Sequence, residues 1–243
     1  HLELGNISDH MSARGPDGEG QWFSMDGKVG FAHKRLAIID TSDQGAQPMA
    51  LLDNNGLERL VITYNGEIYN FKVLRQELLE KGHQLKTRSD TEVLLHLYDR
   101  YGTDMVEKLR GMYAFVIWDK SRKSLFMARD PFGIKPLYYS DDGATIRIAS
   151  QVKALLAGKK VGHSQDPAGH VGFFLLGYVP EPHTLFADIK ALSSGTSLWI
   201  EEGGKRKHRT FFEARTYLAG RDTHPRPFDN GSQLRAALIS SVK

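Results

Sequence analysis

Cysteine is absent from the 243 residues. That excludes disulfides, thiolate zinc sites and thiol catalysis by any of these side chains. Long hydrophobic runs are absent too. The longest, Gly172 to Val179, falls far short of the about 20 residues that span a bilayer. The opening His1-Leu2-Glu3-Leu4 does not have the form of a signal peptide. Neither sign of charge dominates: 32 lysines and arginines against 29 aspartates and glutamates leave a net charge of +3, too balanced for the basic stripe of a nucleic-acid binder. There is no P-loop, no H-E-x-x-H, no G-x-S-x-G elbow and no G-x-G-x-x-G after a strand, and the ten histidines are scattered singly.

What is present is an ordinary globular balance of 40% apolar and 25% charged residues, long enough for one large domain or two small ones. Leu4, Ile7 and Met11 form a helical stripe that ends at Arg14-Gly15-Pro16-Asp17-Gly18. Short strands follow. Gln21 to Met25 and Val29 to His33 read as a hairpin with Asp26-Gly27 as a two-residue loop, and Arg35 to Asp40 and Arg59 to Tyr64 are further apolar runs. Asn70 is placed to cap a helix over Phe71 to Lys81. Ser89-Asp90-Thr91 starts another that Gly102 ends, and Met105, Val106 and Leu109 mark a shorter one. Strand character returns at Met112 to Trp118, Leu125 to Ala128, Leu137 to Tyr139 and Ile146 to Ala149, before a helix at Gln151 to Leu156. Thr184 to Ile200 has room for two strands. Gly203 to Arg209 reads as a basic turn, Arg221 to Gly231 has linker composition, and Leu234, Leu238 and Val242 begin an amphipathic helix. Strands, then helices, then strands predict an α+β fold of stacked antiparallel sheets, not βαβ alternation.

Five segments carry the chemistry: Arg14 to Gly18; His33-Lys34-Arg35-Leu36-Ala37-Ile38-Ile39-Asp40; Tyr64-Asn65-Gly66-Glu67-Ile68-Tyr69-Asn70; Ser89-Asp90-Thr91-Glu92; and Ala128-Arg129-Asp130-Pro131-Phe132-Gly133 running on to Tyr139. Each has an ordinary explanation. Asn65-Gly66 is a strong hairpin-turn signal, Asp90 stands where a helix N-cap belongs, and Arg35 needs only some carboxylate partner. Taken together and in this order, the segments resemble the glutaminase domain of glutamine-hydrolysing asparagine synthetases, within the class II (N-terminal-nucleophile) glutamine amidotransferases. Gly45-Ala46-Gln47-Pro48 and Ala149 to Leu155 extend the match.

The resemblance implies an N-terminal-nucleophile-hydrolase-like sandwich of two antiparallel sheets flanked by helices, in α-β-β-α layers. It implies a glutamine pocket in which Arg35 grips the α-carboxylate and Asp90 the α-ammonium. Asn65 and Gly66 form the oxyanion hole, and Leu36, Ala37, Ile38, Ile39 and Glu67 complete the walls. No metal ligand is implied. The Arg14–Asp17 and Arg129–Gly133 turns are expected to be structural, holding buried ion pairs around the pocket. In the family's layout a cysteine nucleophile on a first strand precedes this stretch, and an ATP-pyrophosphatase domain follows. The expectation is therefore an amidotransferase domain over residues 1–200, then a linker and the first helix of a synthetase domain over 201–243. ATP and Mg²⁺ would belong to that further domain, and this chain alone is expected to be inactive. L-glutamine is the implied partner, with aspartate and ATP in the whole enzyme and a homodimer as its assembly. A cytoplasmic location, with neither nucleic acid nor membrane, is expected. Two alternatives stay open: a catalytically silent binding or scaffold domain of an amide-forming synthetase, and an amidotransferase acting on a sugar or peptide acceptor.

Overall fold

The computed structural model describes residues 1–38, 40, 42–219 and 231–242. The chain begins with helix α1 (Leu2–His10), then strands β1 (Gly18–Phe23) and β2 (Gly30–Arg35). Strands β3 (Met49–Leu52) and β4 (Glu58–Ile68) lead to helices α2 (Phe71–Glu80) and α3 (Asp90–Tyr101). Next come β5 (Gly111–Asp119), β6 (Ser124–Arg129), β7 (Tyr138–Asp141) and β8 (Ile146–Ala149), then helices α4 (Val152–Ala157) and α5 (Pro167–Leu176). Strands β9 (Lys190–Ala191), β10 (Thr196–Glu201) and β11 (Arg206–Thr210) complete the first compact unit, His1–Phe212. The second unit, Glu213–Lys243, contains helices α6 (Ala214–Ala219) and α7 (Ser232–Val242). Most of the expected linker, 221–230, lies outside the described residues.

Six strands form one antiparallel sheet in the order β11-β10-β6-β5-β4-β3. Alternation along β4 decides what each face buries. Leu60, Ile62, Tyr64 and Ile68 pack with Leu74 and Leu78 of α2 and Val93, Leu94 and Leu97 of α3. Val61 faces the other way, with Ala114, Val116, Phe31 and Leu198. That second face is covered by a layer made of two pieces, the β1-β2 ribbon and a three-stranded β8-β7-β9 sheet. Behind it, Ile7 of α1 and Ala154 and Leu155 of α4 join Ala149 in a third cluster. The layers are thus α-β-β-α, as the resemblance implies. The central strands β5 and β6 are covered on both faces and read as near-continuous apolar runs.

Several local expectations are corrected. The β1–β2 connection spans residues 24–29 and not two residues, because Ser24 Oγ donates to Asp26 and accepts the Val29 N–H, holding a wider loop. Asn70 sits at the start of α2, but its amide bonds the Lys108 carbonyl and the Arg110 N–H, so it fastens a neighbouring loop and does not cap the helix. The boundary expected at residue 200 falls inside the β10–β11 hairpin. That pairing carries the first unit to Phe212, and residues 206–209 of the expected basic turn are strand, with Arg209 paired to Asp104 and Glu107.

Candidate active site

Asn65 and Gly66 do not form a turn. They lie within β4, which pairs with β5 without a break from Leu60 to Ile68. The local Asn-Gly preference yields to nine consecutive cross-strand pairs, Leu60↔Asp119 through Ile68↔Gly111. A Cβ on Gly66 would stand 2.2 Å from the Met112 carbonyl oxygen and 2.7 Å from Tyr113 Cα, so only glycine lets β4 and β5 close at this point.

On its other edge β4 pairs with β3 only as far as Ile62. Beyond that the even-numbered N–H groups find other acceptors. The Tyr64 N–H donates to Gln47 Oε1 at 2.7 Å, and the Ile68 N–H donates to Asp90 Oδ2 at 3.1 Å. Strand alternation turns the Gly66 N–H, between them, to the same edge. Asn65, exposed, shares its face with Val61 and Thr63.

Asp90 is the first residue of α3, and the helix cap is Ser89, whose hydroxyl accepts the Thr91 N–H at 3.1 Å. The cap reading of Asp90 is therefore wrong by one residue. Its carboxylate is buried and accepts from the Tyr64 hydroxyl at 2.8 Å. Burial raises the Asp90 pKa, and the Ile68 N–H and Tyr64 hydroxyl partly offset the rise. Burial, then the charge of Asp90, holds the Tyr64 phenol far above its ordinary range, so it stays a donor.

Arg35 ends β2. Its guanidinium donates to the Ser42 carbonyl at 2.9 Å and to the Asp40 carbonyl, not to a carboxylate. Gly45 makes room for it: a Cβ there would stand 2.7 Å from Arg35 Nη2. The Arg14–Asp17 turn lies against the end of the same strand. Asp17 donates its N–H to the Arg35 carbonyl at 3.0 Å, and its carboxylate accepts the Ala37 N–H at 2.9 Å. The buried ion pair expected in this turn is not what it holds; Arg14 and Asp17 are exposed, and Asp17 fixes backbone. The other turn buries its arginine, but the carboxylate that pairs with it is exposed and comes from outside the turn. Buried Arg129 pairs with Glu181 and donates to the carbonyls of Gly133, Lys135 and Leu192, while Asp130 accepts the N–H groups of Phe132, Ile134 and Lys135.

Arg35, Leu36, Ala37, Ile38, Asn65, Gly66 and Asp90 all line one cavity of about 1370 Å³. It exceeds the ~300–1,000 Å³ of typical small-ligand sites and continues past Ile7 of α1 and Ile148 of β8. Glu67 is not on its wall, and Ile39 lies outside the described residues. Three further residues belong to the site. Gln47 and Tyr64 hold its parts together. His33, which lines the cavity beside Arg35, has its pKa lowered to about 4 by burial and then by the Arg35 charge. Gln47 and Tyr64 lay inside the matching segments, but their partners are not readable from spacing. Among the described residues no group of three or more histidines, aspartates and glutamates is arranged to hold a metal ion, and no helix is long and apolar enough to cross a membrane.

The sandwich is that of N-terminal-nucleophile-hydrolase amidotransferases. Glutamine phosphoribosylpyrophosphate amidotransferase from Bacillus subtilis superposes with a TM-score of 0.60 at 24% identity, over 86% of this chain and 46% of that one. Residues 2–212 match the family model described as a glutamine amidotransferase domain, and the chain belongs to that family. Among curated proteins it is 42% identical over 201 residues to asparagine synthetase [glutamine-hydrolyzing] 1 of Bacillus subtilis, covering 83% of this chain and 30% of that protein. It is 38% identical over 199 residues to a putative asparagine synthetase [glutamine-hydrolyzing] of Mycobacterium tuberculosis, covering 79% of this chain and 30% of that protein. The chain thus spans about 30% of the length of these two relatives.

Proposed function

We propose that the chain is the glutamine-binding part of a glutamine-hydrolysing asparagine synthetase. The observation that carries this reading is a single cavity with a guanidinium, a buried carboxylate without a cationic partner among the described residues, and a glycine N–H at an open strand edge. Free glutamine offers a complementary group to each. Arg35 takes the α-carboxylate with the donors its loop carbonyls leave over. Asp90 takes the α-ammonium. The Asn65 amide and Gly66 N–H receive the side-chain carbonyl and stabilise the oxyanion that forms there, each donor contributing about 3 kcal/mol to lowering the barrier.

The reaction needs an attacking thiolate, and these 243 residues contain no cysteine, so the reading assigns the nucleophile to a residue outside them. The thiolate would add to the amide carbon, ammonia would leave as the thioester forms, and water would release glutamate. Transfer of the ammonia to an aspartate activated by ATP and Mg²⁺ would belong to a further domain, with residues 213–243 leading into it. The acceptor, the dimer and the cytoplasmic location rest on the likeness to asparagine synthetases.

The test is a glutaminase assay on the protein with a cysteine-bearing native N-terminus, beside its Cys→Ala variant. Arg35→Lys keeps charge but loses the planar fork. It is expected to raise KM for glutamine at least tenfold while leaving synthesis from free ammonia unchanged; equal loss with both nitrogen sources removes Arg35 from the glutamine site. Glutamine binding without hydrolysis in the native protein would favour the silent-domain reading, which the absence of cysteine motivates.

A further inference from the structure

Gly45-Ala46-Gln47-Pro48 extends the sequence match, yet the reading above gives Gln47 no task. In the structure its side-chain amide reaches two walls of the cavity. Oε1 accepts the Tyr64 N–H at 2.7 Å across 17 residues of sequence, and Nε2 lies 3.4 Å from Thr91 Oγ1 across 44. Tyr64 precedes Asn65 and Gly66; Thr91 follows Asp90. The backbone behind this amide is closely packed, since a Cβ on Gly20 of β1 would stand 2.2 Å from the Gln47 carbonyl oxygen.

The edge of β4 beyond β3 therefore has three N–H positions in a row. Gln47 accepts the first, from Tyr64, and Asp90 accepts the third, from Ile68. The Gly66 N–H stands between them. The amide of Gln47 offers an acceptor to one wall and a donor to the other, on a side chain long enough to reach both.

We infer that Gln47 is a positioning residue that fixes the span between the Gly66 N–H and the Asp90 carboxylate, and so selects the length of the amino-acid amide that fits. This rests on the glutamine reading. Glutamine meets Asp90 with its α-ammonium and Gly66 with its side-chain carbonyl. Asparagine, one methylene shorter, does not reach both. Gln47→Met keeps length and volume but removes acceptor and donor, leaving the Tyr64 N–H without its partner and the span held only by the bonds from Tyr64 and Ile68 to Asp90.

The experiment titrates the 243-residue chain with L-glutamine and with L-asparagine by calorimetry, and follows the Gly66 amide by ¹H–¹⁵N NMR. Wild type is expected to prefer glutamine at least about tenfold, in the range one methylene sets, and its Gly66 resonance to move on glutamine addition. In Gln47→Met the preference is expected to fall to about threefold or less, with a smaller Gly66 shift. Equal weakening of both ligands, or an unchanged ratio, overturns the inference while the glutamine reading stands. A wild-type chain that binds neither amide removes that reading, and the inference with it. If Gln47→Met does not fold, Gln47→Glu replaces it. That variant retains the acceptor for Tyr64 but not the donor toward Thr91, so it is paired with Thr91→Val, which removes the hydroxyl that Nε2 reaches and keeps its shape; each is expected to lower the preference, and an unchanged ratio in both folded proteins overturns the assignment.

Discussion

The Tyr64 hydroxyl donates to Asp90 Oδ2 over 2.8 Å, and both side chains are buried. The same oxygen accepts the Ile68 N–H. Both donors are neutral, and among the described residues no cation offsets the carboxylate's burial, which raises its pKa. Between the ordinary aspartate range and this raised value the folded protein binds more protons than the unfolded chain. Asp90 therefore lowers stability as pH rises through that window.

Asp90→Asn keeps an acceptor for both donors and does not titrate. It is expected to be more stable than wild type at pH 7, with the difference closing as pH falls below the ordinary aspartate range. Glutamine affinity is expected to drop about a hundredfold, since a buried ammonium would lose its counter-charge at about 3 kcal/mol. Urea unfolding at pH 7 and pH 3.5, with calorimetric titration, reads both quantities. A variant less stable at pH 7 that still binds glutamine would show that the carboxylate serves the fold.

Gly66→Ala tests the strand contact. Its Cβ would meet the Met112 carbonyl oxygen at 2.2 Å and Tyr113 Cα at 2.7 Å, and neither is the end of a flexible side chain. β4 and β5 must separate locally, which is expected to cost about 2–3 kcal/mol of stability and to expose the amides of residues 64–68 to hydrogen exchange. Unchanged exchange protection along β4 would contradict the close approach.

These contacts show what the sequence discloses and what it hides. Arg35, Asp90, Asn65 and Gly66 stand in the segments that carry the family resemblance, and it was the resemblance that implied their meeting in one cavity. Gln47 was not legible as a tether, because its partners lie 17 and 44 residues away and nothing local marks the pairing. Asn65-Gly66 misled because a two-residue turn preference competes poorly with nine cross-strand pairs. Ser89 and Asp90 were exchanged as cap and first helical residue because both are good caps, and only geometry separates them. Helix α5 went unassigned: Phe173, Phe174, Leu175 and Leu176 form a continuous apolar run with no 3.6-residue stripe to read.

Arg129 gives a prediction about the frame. Its guanidinium is buried and donates to the carbonyls of Gly133, Lys135 and Leu192 while pairing with Glu181. Arg129→Met fills much of the volume and leaves those acceptors and the Glu181 charge unpaired. A loss of about 2–4 kcal/mol is expected, chiefly from the three carbonyls left without a donor, read as a lower urea midpoint. A loss under about 1 kcal/mol, the worth of an exposed pair, would mean that the network does not hold the loop.

His33 sets the acid limit of the domain. Its Nδ1 lies 3.4 Å from Thr63 Oγ1, and burial, then the Arg35 charge, lowers its pKa to about 4. The unfolded chain takes up this proton near pH 6.5 and the folded protein only near pH 4. Stability contributed by neutral His33 is thus complete above pH 6.5 and lost as pH falls to 4, a change of about 3 kcal/mol. His96, lowered chiefly by burial, acts in the same sense, and Asp90 opposes both over the acid part of the range. His33→Gln retains a polar partner for Thr63 without a titrating group. Urea unfolding at pH 7.5, 6, 5 and 4.5 is expected to show a steeper fall for wild type than for His33→Gln. Parallel curves would mean that the folded protein and the unfolded chain bind this proton alike, so that the fold does not shift His33. In that case a second cation would stand beside Arg35 below about pH 6.5, and the single-guanidinium grip on the glutamine carboxylate would hold only above it.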